Sequence, residues 1–288
     1  MKAVFKHELS TCFTGLTGYI FGAFVLLFAG IYTLAYHFNS MLTNFEYVIG
    51  SMAIVYLIGI PVLTMRLLAE ERRQKTDQLL YSLPLTMTQV VLGKFGAMMV
   101  MLLLPLGIIS LYPLILSAYG NVYLPQAYSA VFSFALLGAT LIAIGMFISS
   151  VTESQAVAAG LCFVVMLVNY FLSDLAGFAA STAFASFGAL TVAVLLLALI
   201  IRIMTSSGFA ALLAATMLEL ALMVTYLVDA SVYEGLFPSI MEKLSLFERF
   251  YVFIDGTFDV TGVVYFLSVT GVFLFLCVQS LEKRRWSE

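Results

Sequence analysis

Residues 65–94 read MRLLAEERRQKTDQLLYSLPLTMTQVVLGK, a polar, charge-rich stretch between two strongly apolar segments. The whole protein has 62% hydrophobic and only 10% charged residues, whereas soluble domains carry about 25% charged residues. This composition predicts an integral membrane protein. A large charged segment in such a chain faces water, so residues 65–94 are the expected place for a water-soluble partner to bind.

The apolar segments on either side predict helical membrane spans, because a bilayer core of about 30 Å needs about 20 apolar residues in a helix. Eight windows qualify, namely 17–38, 48–66, 95–118, 127–149, 155–174, 178–201, 208–228 and 260–281. We therefore expect an all-α fold with about eight transmembrane helices, forming a single transmembrane domain over residues 1–288. A six-span alternative stays open, in which windows five to seven include a re-entrant hairpin.

The distribution of lysine and arginine predicts the orientation, because cytoplasmic loops of membrane proteins carry an excess of these residues. With the N-terminus inside, 11 of the 13 basic residues lie on the cytoplasmic side, and only Lys243 and Arg249 lie outside. The cytoplasmic set is Lys2, Lys6, Arg66, Arg72, Arg73, Lys75, Lys94, Arg202, Lys283, Arg284 and Arg285. Both termini are therefore expected in the cytoplasm.

Two segments outside these windows are expected to form amphipathic helices. Residues 1–16 place Val4, Phe5, Leu9, Cys12, Phe13 and Leu16 at three- and four-residue spacings, which predicts an interfacial helix. Residues 229–259 repeat such spacings at Leu244, Phe247, Phe250, Tyr251 and Ile254. This second pattern predicts an external amphipathic helix, which either roofs the outer end of a pathway or anchors the chain in the interface.

The segment 66–94 is predicted to contain two short helical stretches. Glu70 and Glu71 precede three bases at three- to four-residue spacings, so ion pairs can extend span two as a helix into the cytoplasm. A second short helix is expected over 76–83, and Pro84 ends it.

Capping patterns mark the next helix starts. Thr86 and Gln89 form a Thr-x-x-Gln capping box that begins span three, and Thr152 and Gln155 repeat this spacing before span five.

Patterns for catalysis, nucleotide binding and metal binding are missing from the sequence. Gly93-Lys94 is the only Gly-Lys pair, and no glycine-rich approach precedes it, so no P-loop is predicted. His7-Glu8 begins like a zinc-peptidase box, but position 11 is threonine. Three isolated cysteines are expected to be buried hydrophobic side chains: Cys12, Cys162 and Cys277. The net charge of −3 argues against nucleic acid as a partner.

Glu219 is the sole carboxylate near the middle of a predicted span. A charged group in lipid is costly, which favours a role in a transport pathway. A protonated structural glutamate, or one that faces a wet cavity, would explain the same residue, so both interpretations stay open.

The order of features in MRLLAEERRQKTDQLLYSLP, residues 65–84, resembles the segment after span two of type-2 ABC exporter permeases, the ABC-2 family. These features are an arginine, an acidic pair with bases, a threonine, a leucine pair and a Leu-Pro stop. Residues 89–94 fit the same pattern, and the end of the chain is similar to the gliding-motility-type branch of bacterial permeases. The family usually has six spans, so residues 178–228 look like an added pair, and nothing about Glu219 carries over.

The resemblance implies a permease that pairs with a second permease, identical or related, in a bacterial plasma membrane. Each half would dock on a separate ATPase subunit, which binds ATP and magnesium, so that this chain needs no cofactor of its own. The short helix after span two would be the coupling helix. Its docking residues would be Glu70, Glu71, Arg72, Arg73, Thr76, Asp77, Leu79 and Leu80.

The resemblance further implies export and contact with membrane lipid, and it leaves room for an extracytoplasmic accessory subunit. Two functions from other classes are alternatives. An ATP-independent secondary transporter would call for several intramembrane charges and an inverted repeat. An intramembrane enzyme would need a nucleophile or metal constellation at membrane depth.

Overall fold

The computed structural model describes residues 1–40, 42–75, 86–205 and 208–287, and this part of the chain is helical with no strand. The predicted all-α membrane fold is confirmed. Contacts divide the chain into two compact units. Unit 1 comprises Met1–Val168 and Arg249–Glu288, and unit 2 comprises Asn169–Glu248.

The helices before residue 152 all belong to unit 1. In chain order they are α1 (Lys2–Thr14), α2 (Thr17–Thr33), α3 (Glu46–Thr64), α4 (Ala69–Arg73), α5 (Met87–Ile109), α6 (Tyr112–Ser117) and α7 (Leu124–Val151). A π-helical turn, Leu34–Asn39, continues α2. The N-terminal helix predicted over residues 1–16 is therefore present as α1.

The remaining helices include all those of unit 2. They are α8 (Gln155–Tyr170), α9 (Leu172–Phe178), α10 (Ala183–Thr205), α11 (Gly208–Val228), α12 (Leu236–Leu244), α13 (Leu246–Ile254) and α14 (Val260–Ser287). A 3₁₀ turn, Ala230–Tyr233, lies between α11 and α12.

Among the described residues, five helical stretches are long and apolar enough to cross a membrane, and all five lie in unit 1. They are Thr17–Asn39, Glu46–Arg73, Met87–Ser117, Leu124–Val151 and Val260–Arg285. These stretches coincide with the first four predicted windows and the last one.

The other three windows also contain helices, but two of these are sharply bent. Gln155–Tyr170 and Leu172–Phe178 meet at 53°, and Leu212–Val228 and Ala230–Leu244 meet at 118°. Helix α10 spans Ala183–Thr205, and its described side chains give an apolar stretch over Ala183–Leu199. Within the part of the chain that the structure describes, length and composition therefore support five spans, or up to seven if each bent pair crosses once, where the sequence predicts about eight. A bend of this kind is what a broken span or a re-entrant loop shows, and the sequence left the second arrangement open.

The core of unit 1 forms around α7, which packs against α3, α5 and α14. The rings of Tyr56 on α3 and Phe134 on α7 stack at 4.0 Å between centroids, and the Tyr56 hydroxyl donates to the Phe134 carbonyl over 3.3 Å. On another side of α7, Thr140 Oγ1 donates to the Phe266 carbonyl of α14 over 3.2 Å. Because lipid provides no hydrophobic force between apolar helices, such close packing and interhelical hydrogen bonds hold the bundle together.

Glycines on α7 allow this close approach. A methyl group added at Gly145 would lie 2.3 Å from Thr64 Oγ1, and one at Gly138 would lie 2.7 Å from Leu102 Cδ2. Small residues at such positions let helix backbones come together in membranes. The contact of α3 with α7 therefore depends on the missing side chain at Gly145.

Both predicted helix starts are present, at Met87 and Gln155, but the predicted capping residue is right in the first case and wrong in the second. Thr86 caps α5, because its hydroxyl accepts from the Gln89 amide over 3.3 Å. The Thr152 hydroxyl instead donates back to the Ile148 carbonyl over 3.1 Å, and α8 begins only at Gln155. Thr152 therefore ends α7, since its own backbone is extended (ψ 152°), rather than starting α8.

The amphipathic segment 229–259 contains two short helices instead of one. The chain breaks at Ser245, between α12 and α13, where the Glu248 amide donates to Ser245 Oγ over 3.1 Å. Ser245 thus acts as the N-cap of α13. Leu244, predicted to share a face with the following aromatic residues, ends α12 and is exposed.

Unit 2 is held together at its chain ends by one side chain. Asn169 Oδ1 accepts from the Leu246 amide over 3.0 Å, and Asn169 Nδ2 donates to the Leu244 carbonyl over 3.3 Å. Between these ends, α10 and α11 pack side by side, with the rings of Phe187 and Tyr226 4.7 Å apart. The two chain ends of unit 2 therefore lie next to each other.

Gly145→Ala should destabilise the protein by about 1–3 kcal/mol, because the new methyl group overlaps Thr64 and the packed helices cannot separate freely. Thermal melting in detergent measures the effect. Gly160→Ala on α8 is the matched control, since nothing lies within 4 Å of its added methyl group. Adding Thr64→Ala to Gly145→Ala should recover part of the loss. Equal melting temperatures for the two single variants would contradict the packing argument.

Candidate functional site at the basic end of unit 1

One end of unit 1 brings most of the charged segments together, and we call it the basic end. It contains α1, residues 65–75, the first turns of α5, the end of α7 and the last turns of α14. These elements include the basic residues Lys2, Lys6, Arg66, Arg72, Arg73, Lys75, Lys94, Lys283, Arg284 and Arg285.

The chain between α3 and α4 breaks at this end, and a buried serine of α7 holds the break. We call residues 65–75 the lever segment, which comprises a turn over 65–68, the short helix α4, and Gln74 with Lys75. Ser149 Oγ accepts from the amides of Leu68 and Ala69 over 3.2 and 3.1 Å, and donates to the Met65 carbonyl over 3.3 Å. A helix start leaves amide groups unpaired, and here a side chain from another helix pairs them. The predicted helical extension of span two is therefore present, since one helical stretch runs from Glu46 to Arg73, but a turn over 65–68 interrupts it between α3 and α4.

Lys94 on α5 is completely buried and holds the lever segment from its other side. Its Nζ atom lies 2.5 Å from Glu8 Oε1 on α1, 2.7 Å from Glu71 Oε1 on α4, and 3.0 Å from the Leu67 carbonyl oxygen. We call these four groups the Lys94 cluster. An ammonium group has three hydrogens to donate, so each one is used, and the buried charge is compensated by two carboxylates.

Glycines next to Lys94 let α1 approach α5 closely. A methyl group at Gly93 would lie 3.2 Å from Val4 Cβ, and one at Gly96 would lie 3.4 Å from Phe5 Cδ2. This close packing brings Glu8, one turn further along α1, to the lysine. Part of the predicted apolar face of α1 therefore lies against α5.

Two guanidinium groups bind the carbonyl end of α7. Arg72 Nη1 donates to the Thr152 carbonyl over 3.3 Å, and Arg284 Nη2 donates to the Val151 carbonyl over 3.2 Å. Arg284 also lies 3.7 Å from Glu153 Oε1. Cations are favourable at a helix C-terminus because its unpaired carbonyl groups carry partial negative charge. The end of α7 thus links α4 with α14.

The remaining groups of the lever segment face away from these contacts. Arg73, Gln74 and Lys75 are exposed, and Glu70 is partly buried, with its Oε1 atom accepting from Gln74 Nε2 over 3.2 Å. Lys75 has a left-handed backbone (φ 56°), which ends α4 because an α-helix cannot continue through that conformation. The lever segment therefore has an anchored side and a charged outer side.

The structure separates the predicted docking residues into two groups. Glu71 and Arg72 point into the bundle, where they bind Lys94 and the end of α7. Glu70 and Arg73 lie on the outer side. Thr76, Asp77, Leu79 and Leu80 lie outside the described residues, as does the predicted short helix over 76–83. Their assignment to docking stays a prediction.

Glu219 lies on α11 in unit 2. Its Oε1 atom is buried and has no hydrogen-bond partner within the described part of the chain. Three-residue spacing places Glu219 on the same face of α11 as Leu222, whose carbonyl accepts from the Tyr233 hydroxyl over 2.8 Å. Both interpretations of Glu219, a role in a transport pathway and a structural role, stay predictions. No three His, Cys, Asp or Glu side chains among the described residues are grouped to hold a metal ion.

The sequence analysis missed the Lys94 cluster, although a signal was available. At helical spacing, Lys94 shares one face of α5 with five buried apolar residues: Val90, Val91, Ala97, Met98 and Met101. A lysine in the middle of an apolar face must find carboxylates, because an unpaired buried charge is unstable. Which carboxylates it binds, Glu8 and Glu71, depends on tertiary packing and could not be read from spacing.

Cys12 on α1 lies one turn beyond Glu8, so the charges of the Lys94 cluster act on the pKa of its thiol. Burial raises the pKa of the Cys12 thiol above its usual range, the charge of Glu8 raises this pKa further, and the charge of Lys94 lowers it. Cys162 and Cys277 are buried. Cys12 is therefore the most accessible of the three cysteines.

The bundle of long apolar helices, with its charged surface gathered at one end, defines a multi-pass membrane protein. The sequence model of the ABC-2 family transporter proteins matches residues 25–286, so the chain belongs to the ABC-2 family. The predicted ABC-2 resemblance is thus confirmed, while its gliding-motility-type branch stays a prediction. No curated protein matches the chain. Membership makes this chain the membrane subunit, or permease, of an ABC transporter rather than a catalytic subunit.

Glu8→Gln should shift the pH profile of Cys12 alkylation to lower pH. Only the thiolate reacts, and the raised pKa keeps the Cys12 thiol protonated until higher pH than a free cysteine. Removing the Glu8 charge lowers that pKa, so the alkylation rate at about pH 8 should rise. Maleimide labelling followed by mass spectrometry measures the rate. Glu153→Gln removes a carboxylate from the Arg284 pair at the same end and should leave the profile unchanged. An unchanged profile in Glu8→Gln would refute the proximity of the two charges.

Proposed function

We propose that this permease couples ATP hydrolysis in a separate ATPase subunit to the export of a substrate across the bacterial plasma membrane. The observation that carries the proposal is the two-sided lever segment. Its inner side is bound by Ser149 and Lys94, and its outer side presents Glu70, Arg73 and Lys75. Family membership supports it further, because ABC-2 permeases generally work with an ABC ATPase subunit.

The lever segment is suited to transmit a displacement. A partner that binds its outer charges exerts a force on a short segment that cannot extend, because Met65 and Leu68, at the two ends of its turn, are hydrogen-bonded to Ser149 of α7. The movement passes to α3, which leads directly into the membrane, and to α5 through Lys94. A solvated loop without such contacts would absorb the same movement.

The transport cycle follows from this coupling. Nucleotide closes two ATPase subunits against each other, and the lever segments of two permeases, identical or related, move with them. ATP shifts the equilibrium between inward- and outward-accessible arrangements only by as much as it favours one arrangement over the other. ATP and magnesium are bound by the partner, and this chain contributes the membrane path.

Simultaneous charge reversal at Glu70 and Arg73, as Glu70→Arg with Arg73→Glu, should abolish stimulation of ATP hydrolysis by the permease. Both residues lie on the outer side of the lever segment, so the change reverses the predicted docking charges without touching Ser149 or Lys94. Folding stability should change by less than about 0.5 kcal/mol, as is usual for surface substitutions. ATPase assays of the reconstituted complex and thermal melting provide the two measurements.

The matched control reverses two exposed charges elsewhere, Glu242→Lys with Lys243→Glu on α12. This control should retain full stimulation of ATP hydrolysis. Normal stimulation in the Glu70 and Arg73 variant would remove the lever segment from the docking surface.

The orientation is a further part of this proposal, with the basic end in the cytoplasm together with both termini. Gln74 is exposed in the lever segment, and Asn121 is exposed between α6 and α7 at the opposite end of unit 1. In a variant whose three cysteines are replaced by alanine, Asn121→Cys should react with an impermeant maleimide in intact cells. Gln74→Cys should react only after the membrane is permeabilised. Labelling of Gln74→Cys from outside would reverse the topology.

A further inference from the structure

The Lys94 cluster connects three parts of the chain at a single nitrogen atom. Glu8 belongs to α1, Glu71 and the Leu67 carbonyl belong to the lever segment, and Lys94 belongs to α5. The lysine side chain is only 1% exposed, against 13% for Glu8 and 26% for Glu71. Water therefore cannot replace either carboxylate at the ammonium group, and the three parts can separate only by leaving a buried charge uncompensated.

Helix α1 has further attachments that make it a stiff element. It packs closely against α5 at Gly93, where an added methyl group would press on Val4 at 3.2 Å, and it is in van der Waals contact with α5 at Gly96. At its other end the chain turns into α2, where a methyl group at Gly18 would lie 2.9 Å from the Cys12 carbonyl oxygen. A displacement of Glu8 along its helix therefore carries α2 with it.

We propose that Lys94 is a positioning residue that makes α1 a second moving part of the transporter. This inference builds on the proposed function, in which the partner ATPase displaces the lever segment. Glu71 then pulls the ammonium group of Lys94, which in turn pulls Glu8, so α1 and α2 follow the lever segment. Transmission into the membrane thus has two routes: one through Ser149 to α3 and α7, and one through Lys94 to α1, α2 and α5.

The test uses two cysteine reporters in the complete complex of permease and ATPase. The first reporter is native Cys12 on α1, in a chain with Cys162→Ala and Cys277→Ala. The second is Gln74→Cys on the lever segment, with all three native cysteines replaced by alanine. Maleimide alkylation of each is timed without nucleotide and with magnesium and a non-hydrolysable ATP analogue.

Each reporter is then combined with Glu71→Gln or with the control Glu153→Gln. Glu71→Gln removes the ion pair between the lever segment and Lys94 with little change of shape, whereas Glu153→Gln removes a different ion pair at the same end. Because Glu71→Gln also weakens the protein, Glu8→Gln provides a second variant that cuts the opposite arm of the cluster.

The expected result is that nucleotide changes the alkylation rate of both reporters in the parent chains. In either Glu71→Gln or Glu8→Gln, the alkylation rate of Cys12 should be the same with and without nucleotide. The alkylation rate of the Gln74→Cys reporter should still change when nucleotide is added. Glu153→Gln should alter neither response. A purely structural role for Lys94 would not separate the two reporters in this way.

Two outcomes would overturn the inference and leave the proposed function standing. In one, the Gln74→Cys reporter responds to nucleotide and Cys12 does not. In the other, Cys12 keeps its response in both Glu71→Gln and Glu8→Gln. If nucleotide changes neither reporter in the parent chains, the proposed function itself fails, and the inference fails with it.

Discussion

A buried ammonium group must be compensated where it lies, and this constraint organises one whole end of the protein. Lys94 cannot reach water from the packed face of α5, so two carboxylates and one carbonyl oxygen come to it. Removing one partner of such a buried group typically costs about 3–5 kcal/mol, because it leaves an uncompensated charge. The position of α1, the direction of α4 and the side of the lever segment that faces outward all follow from satisfying this one side chain.

The second organising constraint is the backbone itself. Where α3 stops at Thr64, the following amide groups are surrounded by protein and need acceptors. Ser149 on α7 supplies one, and Gly145, one turn earlier, lets α3 approach closely enough for the hydroxyl to reach. The end of α7 then binds Arg72 and Arg284 through its terminal carbonyl groups. A helix that is central to the packing of unit 1 thus also determines where the lever segment lies.

These two constraints explain how a small charged segment is able to act on a large apolar protein. A partner that binds only the outer charges of α4 binds a segment that is held on two sides. The hydroxyl group of Ser149 on α7 holds one side, and the ion pair of Glu71 with Lys94 on α5 holds the other. Unit 2 shows a different construction, in which Asn169 joins the entry and exit of the chain and Glu219 lies within a helix otherwise suited to lipid.

The sequence by itself determined the membrane class, the five long apolar helices, the N-terminal helix, the Thr86 cap and the ABC-2 family, because composition, hydrophobic length and local capping are properties of contiguous residues. The apolar residues on the same face of α5 as Lys94 also indicated that this lysine is buried. Ser245 and Glu248, three residues apart, have the spacing of a capping box, which indicated that a helix starts after Ser245. Only the tertiary structure decided that Glu71 and Arg72 turn inward while Glu70 and Arg73 face outward, that α3 breaks before α4, and that Thr152 ends α7. The partners in these interactions lie up to 84 positions away along the chain. Which of several nearby charges becomes buried depends on how those distant helices pack, and no local pattern records that choice.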